Sequence, residues 1–118
     1  MSVKLIRKEG IAIVGLFSDI DMEDVVNVKN LVTSIVADGC YRIVLDFSRV
    51  QHINATGLGI LADRLRFVRS FNGDLRLAGM NPYIDHVFEL TKVKALFKVF
   101  ATSHEAVRSF RTANMIAA

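Results

Sequence analysis

Val44-Leu45-Asp46-Phe47-Ser48-Arg49-Val50-Gln51-His52-Ile53-Asn54-Ala55-Thr56-Gly57-Leu58-Gly59 reads in one sweep as a buried strand, a polar turn and the start of a helix. Asn54 and Thr56 are residue types that cap helices, and Leu58, Leu61, Leu65 and Val68 follow at three- and four-residue spacing. Gly57 and Gly59 fall in the first turn of that helix, where each costs roughly 1 kcal/mol relative to alanine. Two such residues in one turn imply a close approach to the backbone, by another element of the fold or by a partner.

On the N-terminal side, residues 3–7 and 11–17 read as two strands around a Glu9-Gly10 turn, a hairpin whose second strand is apolar on both faces. Ser18-Asp19-Ile20-Asp21 breaks the pattern. A helix follows, with Val25, Val28, Val32, Ile35 and Val36 in period up to Asp38-Gly39 and with Glu23 and Asp24 at its positive end. On the C-terminal side the second helix runs to about residue 71 and closes at Asn72-Gly73, and residues 74–78 form a fourth strand. Pro82 starts a third helix with Ile84, Val87, Phe88 and Leu90 on its apolar side; residues 95–100 read as a fifth strand. Ser103 or Thr102 caps a last helix through about residue 110, and residues 112–118, which show no period, are expected to be a loosely ordered tail. This alternation predicts one α/β domain over residues 1–118, with a mixed, mostly parallel sheet of about five strands and about four helices. Functional loops gather at the carboxyl ends of such strands, so turns 18–21 and 51–57 should share one edge.

With 118 residues, 52% of them hydrophobic, the chain has enough apolar material for one core. No apolar run reaches the ~18 residues of a membrane span, and the N-terminus lacks the apolar centre of a signal peptide, so a cytoplasmic protein without membrane insertion is expected. Cys40 is the single cysteine, which excludes an intramolecular disulfide and a cysteine-rich zinc site. The net charge is +3, divided as −1 over residues 1–59 and +4 over residues 60–118, and the basic residues are scattered without a run. That distribution argues against nucleic acid as a partner.

Asp19-Ile20-Asp21-Met22-Glu23-Asp24 places four carboxylates in six residues, but it lacks the glycine and the distant glutamate of a calcium loop. A helix start accounts for most of these acids. Gly57-Leu58-Gly59 has neither the lysine of a nucleoside-triphosphate loop nor the third glycine of a dinucleotide loop. His52, His86 and His104 lie on separate segments with no metal spacing, and Asp46 with Ser48 reads as a turn former at a strand end. No catalytic residue, metal or cofactor is expected. The second helix carries a further signal: Ile60, Phe67 and Phe71 form a second apolar stripe beside Leu58, Leu61, Leu65 and Val68, with Arg64 between them. It is either part of a broad core face or an exposed strip suited to a protein partner.

Ile43-Val44-Leu45-Asp46-Phe47 followed by Ile53-Asn54-Ala55-Thr56-Gly57-Leu58-Gly59 resembles the STAS domain of bacterial anti-sigma factor antagonists. Ser18-Asp19-Ile20-Asp21 is similar to that family's Gly-Asp-Ile-Asp turn, and the late strand and helix around Ala95-Leu96-Phe97 and Ser103-His104-Glu105-Ala106 fit as well. The resemblance covers nearly the whole chain. It implies a non-enzymatic module that docks a switch-protein kinase acting as anti-sigma factor, or a related regulator, and is switched by phosphorylation of the first serine in Asp-Ser-Ser/Ala-Gly-Leu-Gly. Here Asn54 replaces the aspartate and Ala55 the phosphorylated serine, while Ser18 replaces the glycine of the earlier turn. A methyl group cannot accept phosphate. Thr56, one residue on and rotated by about 100°, is expected to satisfy helix-start amides rather than to be phosphorylated. The expected docking surface comprises Asp19, Asp21, Asn54, Ala55, Thr56, Gly57, Leu58, Gly59, Ile60, Arg64 and Phe67. Other readings stand beside it: a STAS regulatory subunit of a membrane transport complex or a stress-signalling scaffold, and, less favoured, a nucleotide-binding domain motivated only by Asp19, Asp21 and the glycine turn.

Overall fold

The computed structural model describes the backbone of residues 3–117 and the side chains of residues 3–111. Its elements are β1 (Val3–Lys8), β2 (Ile11–Leu16), α1 (Met22–Ala37), β3 (Arg42–Asp46), α2 (Leu58–Arg69), β4 (Asp74–Ala78), α3 (Pro82–Leu90), β5 (Val99–Phe100) and α4 (Ser103–Ala117). Glu9 and Gly10, both at positive φ, close the β1–β2 hairpin; β2, β3, β4 and β5 are then parallel neighbours in the order β1-β2-β3-β4-β5. This is the expected mixed, mostly parallel five-stranded sheet with four helices.

Strand alternation sorts the side chains into two layers. Ala12, Val14 and Leu16 of β2, Ile43 and Leu45 of β3 and Leu75 and Leu77 of β4 face α1, α2 and α3 in the main core. Ile11, Val44 and Ala78 face the other way, against Ala106, Val107 and Phe110 of α4. Each crossover adds its strand on the same side of the last one, so all three crossover helices lie on one face and α4 alone lies on the other.

Two expected boundaries move. Residues 95–100 do not form one strand: a 3-10 turn takes Lys94–Leu96 and leaves β5 only Val99–Phe100. The Lys94 ammonium anchors that turn between Asp85 at 2.9 Å and Glu89 at 3.1 Å, and the two carboxylates raise its pKa. At the C-terminus the α4 backbone runs on to Ala117, beyond the end expected near residue 110. Cys40 is half-buried, with Sγ 3.4 Å from the Gly10 carbonyl, at the mouth of β3.

Candidate functional site

At the carboxyl edge of the sheet, the loop after β2 and the loop after β3 are zipped together. Ile20 and Ile53 form a parallel bridge, the Ile20 amide donates to the His52 carbonyl at 3.1 Å, and the Asn54 amide donates to the Ile20 carbonyl at 2.9 Å. Asp19 adds a clamp. Its Oδ1 accepts the amides of Gln51 and His52 at 3.0 and 3.1 Å, and these bonds hold its carboxyl below the ordinary value, with the His52 ring 3.4 Å away as a smaller contributor. Asp21 caps α1 instead: its Oδ1 accepts the Asp24 amide while Asp24 accepts the Asp21 amide, and the Asp24 amide bond lowers the Asp21 pKa. Three of the four clustered carboxylates thus serve backbone amides.

The turn after Ile53 is a 3-10 turn over Ala55–Gly57 that feeds α2. Asn54 is its cap, accepting the Thr56 amide at 2.9 Å. The Thr56 hydroxyl, expected to bond helix-start amides, bonds the Asn54 side chain instead, and Thr56 is exposed. One residue of 3-10 turn is a rotation of about 120°, yet Thr56 stays on the solvent side, and Asn54 has already taken the capping role. Ala55 is exposed beside it.

Gly57 and Gly59, alike in the sequence, differ in structure. A Cβ on Gly57 would lie 2.6 Å from Val25 Cγ2 of α1, so this glycine lets two helices meet. Leu58 is buried as well, and both residues are thereby withdrawn from the expected docking surface. A Cβ on Gly59 would meet nothing within 4 Å. Asn54, Ala55, Thr56 and Gly59 make a low, open ledge next to Asp19.

The second stripe on α2 is divided. Ile60 and Phe67 are half-buried and pack against the main core, whereas Phe71, beyond the end of α2, is exposed and stacks on Tyr41 with ring centroids 5.2 Å apart. Arg64 bridges the helices: its guanidinium donates to Thr33 of α1 at 3.0 Å, pairs with Asp63 at 2.9 Å and lies 4.5 Å from the Phe67 ring centroid. That pairing keeps the Asp63 carboxyl below its ordinary value.

Two neighbours of the loop, and one buried residue away from it, were not visible in the sequence. The Asn81 amide group donates to the carbonyls of Val50 and Gln51 at 3.3 and 3.2 Å, tying the start of α3 to the loop. Tyr83 of α3 packs edge-to-face on His52 at 5.2 Å and extends the exposed ledge. Arg76, one of the scattered basic residues in the sequence, is buried on the α4 face with Asp74. Asn-Pro before a helix could have flagged Asn81; no spacing flags the other two.

The STAS domain family model matches residues 2–106. The chain belongs to the STAS domain family. BtrV of Bordetella bronchiseptica, assigned as an anti-sigma factor antagonist, is 25% identical over 113 residues, covering 96% of this chain and 97% of BtrV. Two solved structures share the fold. One is a Thermotoga maritima protein assigned as an anti-sigma factor antagonist (TM-score 0.84, 23% identity, 92% of this chain and 94% of that one). The other is SpoIIAA of Bacillus in its phosphorylated form (TM-score 0.71, 20% identity, 92% and 99%). In the STAS frame, the zipped loops and the start of α2 lie on one edge. Among the described residues, no helix is long and apolar enough to cross a membrane.

Proposed function

We propose that this protein is a non-enzymatic regulatory module of the anti-sigma factor antagonist kind, and that it docks a switch-protein kinase or related regulator through the ledge at the start of α2. The observation that carries this reading is Gly59: exposed in the first turn of a helix, at a cost of roughly 1 kcal/mol, and spared for nothing inside the fold. A partner lying flat on Ala55, Thr56 and Gly59 gives that cost a purpose, with Asp19, Asp21 and the half-buried Ile60, Arg64 and Phe67 at its margin.

A phosphate at the turn would add about −1.5 to −2 charges at a helix start and obstruct such a partner. Ala55 stands where the family carries its phosphoserine, so the module behaves as a permanently dephosphorylated binder. The test is incubation with the cognate kinase and ATP, with complex formation followed by size exclusion and phosphate by mass spectrometry. Natural protein should bind without gaining phosphate, Ala55→Ser should become an acceptor, and Gly59→Trp should lose binding while staying folded. Phosphate on Thr56 of the natural protein, or undiminished binding by Gly59→Trp, would refute the proposal.

A further inference from the structure

Among the described residues, the α4 face of the sheet is only half covered. Five strands about 4.8 Å apart make a face roughly 19 Å across, whereas one helix with its side chains is about 10 Å wide. α4 lies over Ile11, Val44 and Ala78 with Ile13 half-buried at its margin, and no helix among the described residues covers β1 and the outer edge of β2. There Lys4, Ile6, Ile13, Gly15, Phe17 and Arg49 line a cleft of about 300 Å³ that ends at Ser103, the first residue of α4. Ile6 and Phe17 are 43% and 42% exposed. Asp46 is the single carboxylate in the lining, and its Oδ1 is taken by the Ser48 amide at 2.9 Å.

Gly15 sits inside β2, paired with Lys4 and Asp46, where glycine weakens a strand and often marks a close approach. A Cβ there would lie 3.3 Å from the Phe17 ring, so its absence deepens the floor of the cleft. The rim is cationic. Lys4 and Lys8 alternate with Ile6 along this face of β1, and the Arg49 guanidinium lies 5.6 Å from the Phe17 centroid.

We propose that this bare half-face docks an acidic amphipathic helix of a partner protein, lying beside α4, burying Ile6, Ile13 and Phe17, and meeting Lys4 and Arg49 with its carboxylates. α4 shows that this face accepts a helix, since its Ala106, Val107 and Phe110 are seated on the neighbouring half in the same way. A second copy of the chain would set Lys4, Lys8 and Arg49 against one another, a like-charge contact that disfavours it. The surface lies across the sheet from α2, so this inference stands or falls separately from the proposed function.

The experiment is an amide NMR titration with a synthetic helical peptide carrying leucines at i, i+3, i+4 and i+7 and glutamates elsewhere, run beside its lysine-for-glutamate twin. The acidic peptide alone should give saturable shifts at Ile6, Ile13, Gly15 and Phe17. Lys4→Glu combined with Arg49→Glu, both exposed changes whose fold circular dichroism verifies, should weaken it by roughly tenfold and favour the basic twin. Absence of saturation, shifts centred elsewhere, equal response to both peptides, or a double variant that binds as the natural protein does would each overturn the proposal.

Discussion

Gly57 and Gly59 stand two residues apart at one helix start, and the same substitution separates them. Gly57→Ala forces a methyl against Val25, and overpacking of this kind costs about 1–3 kcal/mol. Gly59→Ala enters open space on a helix and should stabilise by about 0.4–1 kcal/mol. Urea denaturation of the two variants checks both signs. Asn54 and Thr56 divide in the same way. Asn54→Ala removes the acceptor of the Thr56 amide and should cost about 0.5–2 kcal/mol, while Thr56→Ala removes an exposed hydroxyl bonded only to Asn54 and should stay within about 0.5 kcal/mol. Asp19 brings pH dependence. Its folded pKa lies below the ordinary 3.8, so the stability it contributes is complete above that value and is lost as pH falls from 3.8 through the folded value. Thermal melts should therefore show Asp19→Asn less stable than the natural protein at neutral pH, with the gap closing in acid.

At the scale of elements, α4 depends on a buried polar cluster as well as on its apolar contacts. Arg76 and Asp74, 6% and 7% exposed, pair at 2.9 Å on the α4 face of β4; Arg76 also donates to Ser109 of α4 at 2.6 Å and lies 3.9 Å from the Phe110 centroid. Arg69 reaches the other Asp74 oxygen at 2.9 Å. Removing one member leaves the rest buried without full compensation, so Arg76→Ala should cost about 3 kcal/mol. The double variant Asp74→Asn, Arg76→Met should recover part of that loss, as chemical denaturation of the three proteins would show. The sequence presents Arg76 as one more surface cation, because a single charge in a short strand has the same period whether it faces water or a helix. β5 misleads for a related reason: Ala95, Leu96 and Phe97 have strand character, but the backbone bonds to Val93 and Lys94, the carboxylates of α3 that hold Lys94 and the seating of Phe97 in the core accompany a turn there.

At the scale of the whole molecule, the two cores share one sheet, since alternate residues of β2, β3 and β4 serve each of them. Unfolding should therefore be a single cooperative transition, with far-ultraviolet circular dichroism and tyrosine fluorescence tracing coincident curves. What the sequence determined by itself is the order of the elements, the parallel sheet and the edge at which the two turns meet, because these follow from local periodicity, caps and the single hand of crossovers. Strand-turn-helix spacing alone placed the turns at residues 18–21 and 51–57 on one edge. Only the tertiary structure decided which glycine serves the fold and which lies open, that Asn54 and not Thr56 caps the turn, that Arg76 is buried, and that the described residues leave half of one sheet face bare. Each of these depends on which segment from elsewhere in the chain comes to rest against a residue, and that distance in space is not written in its neighbours.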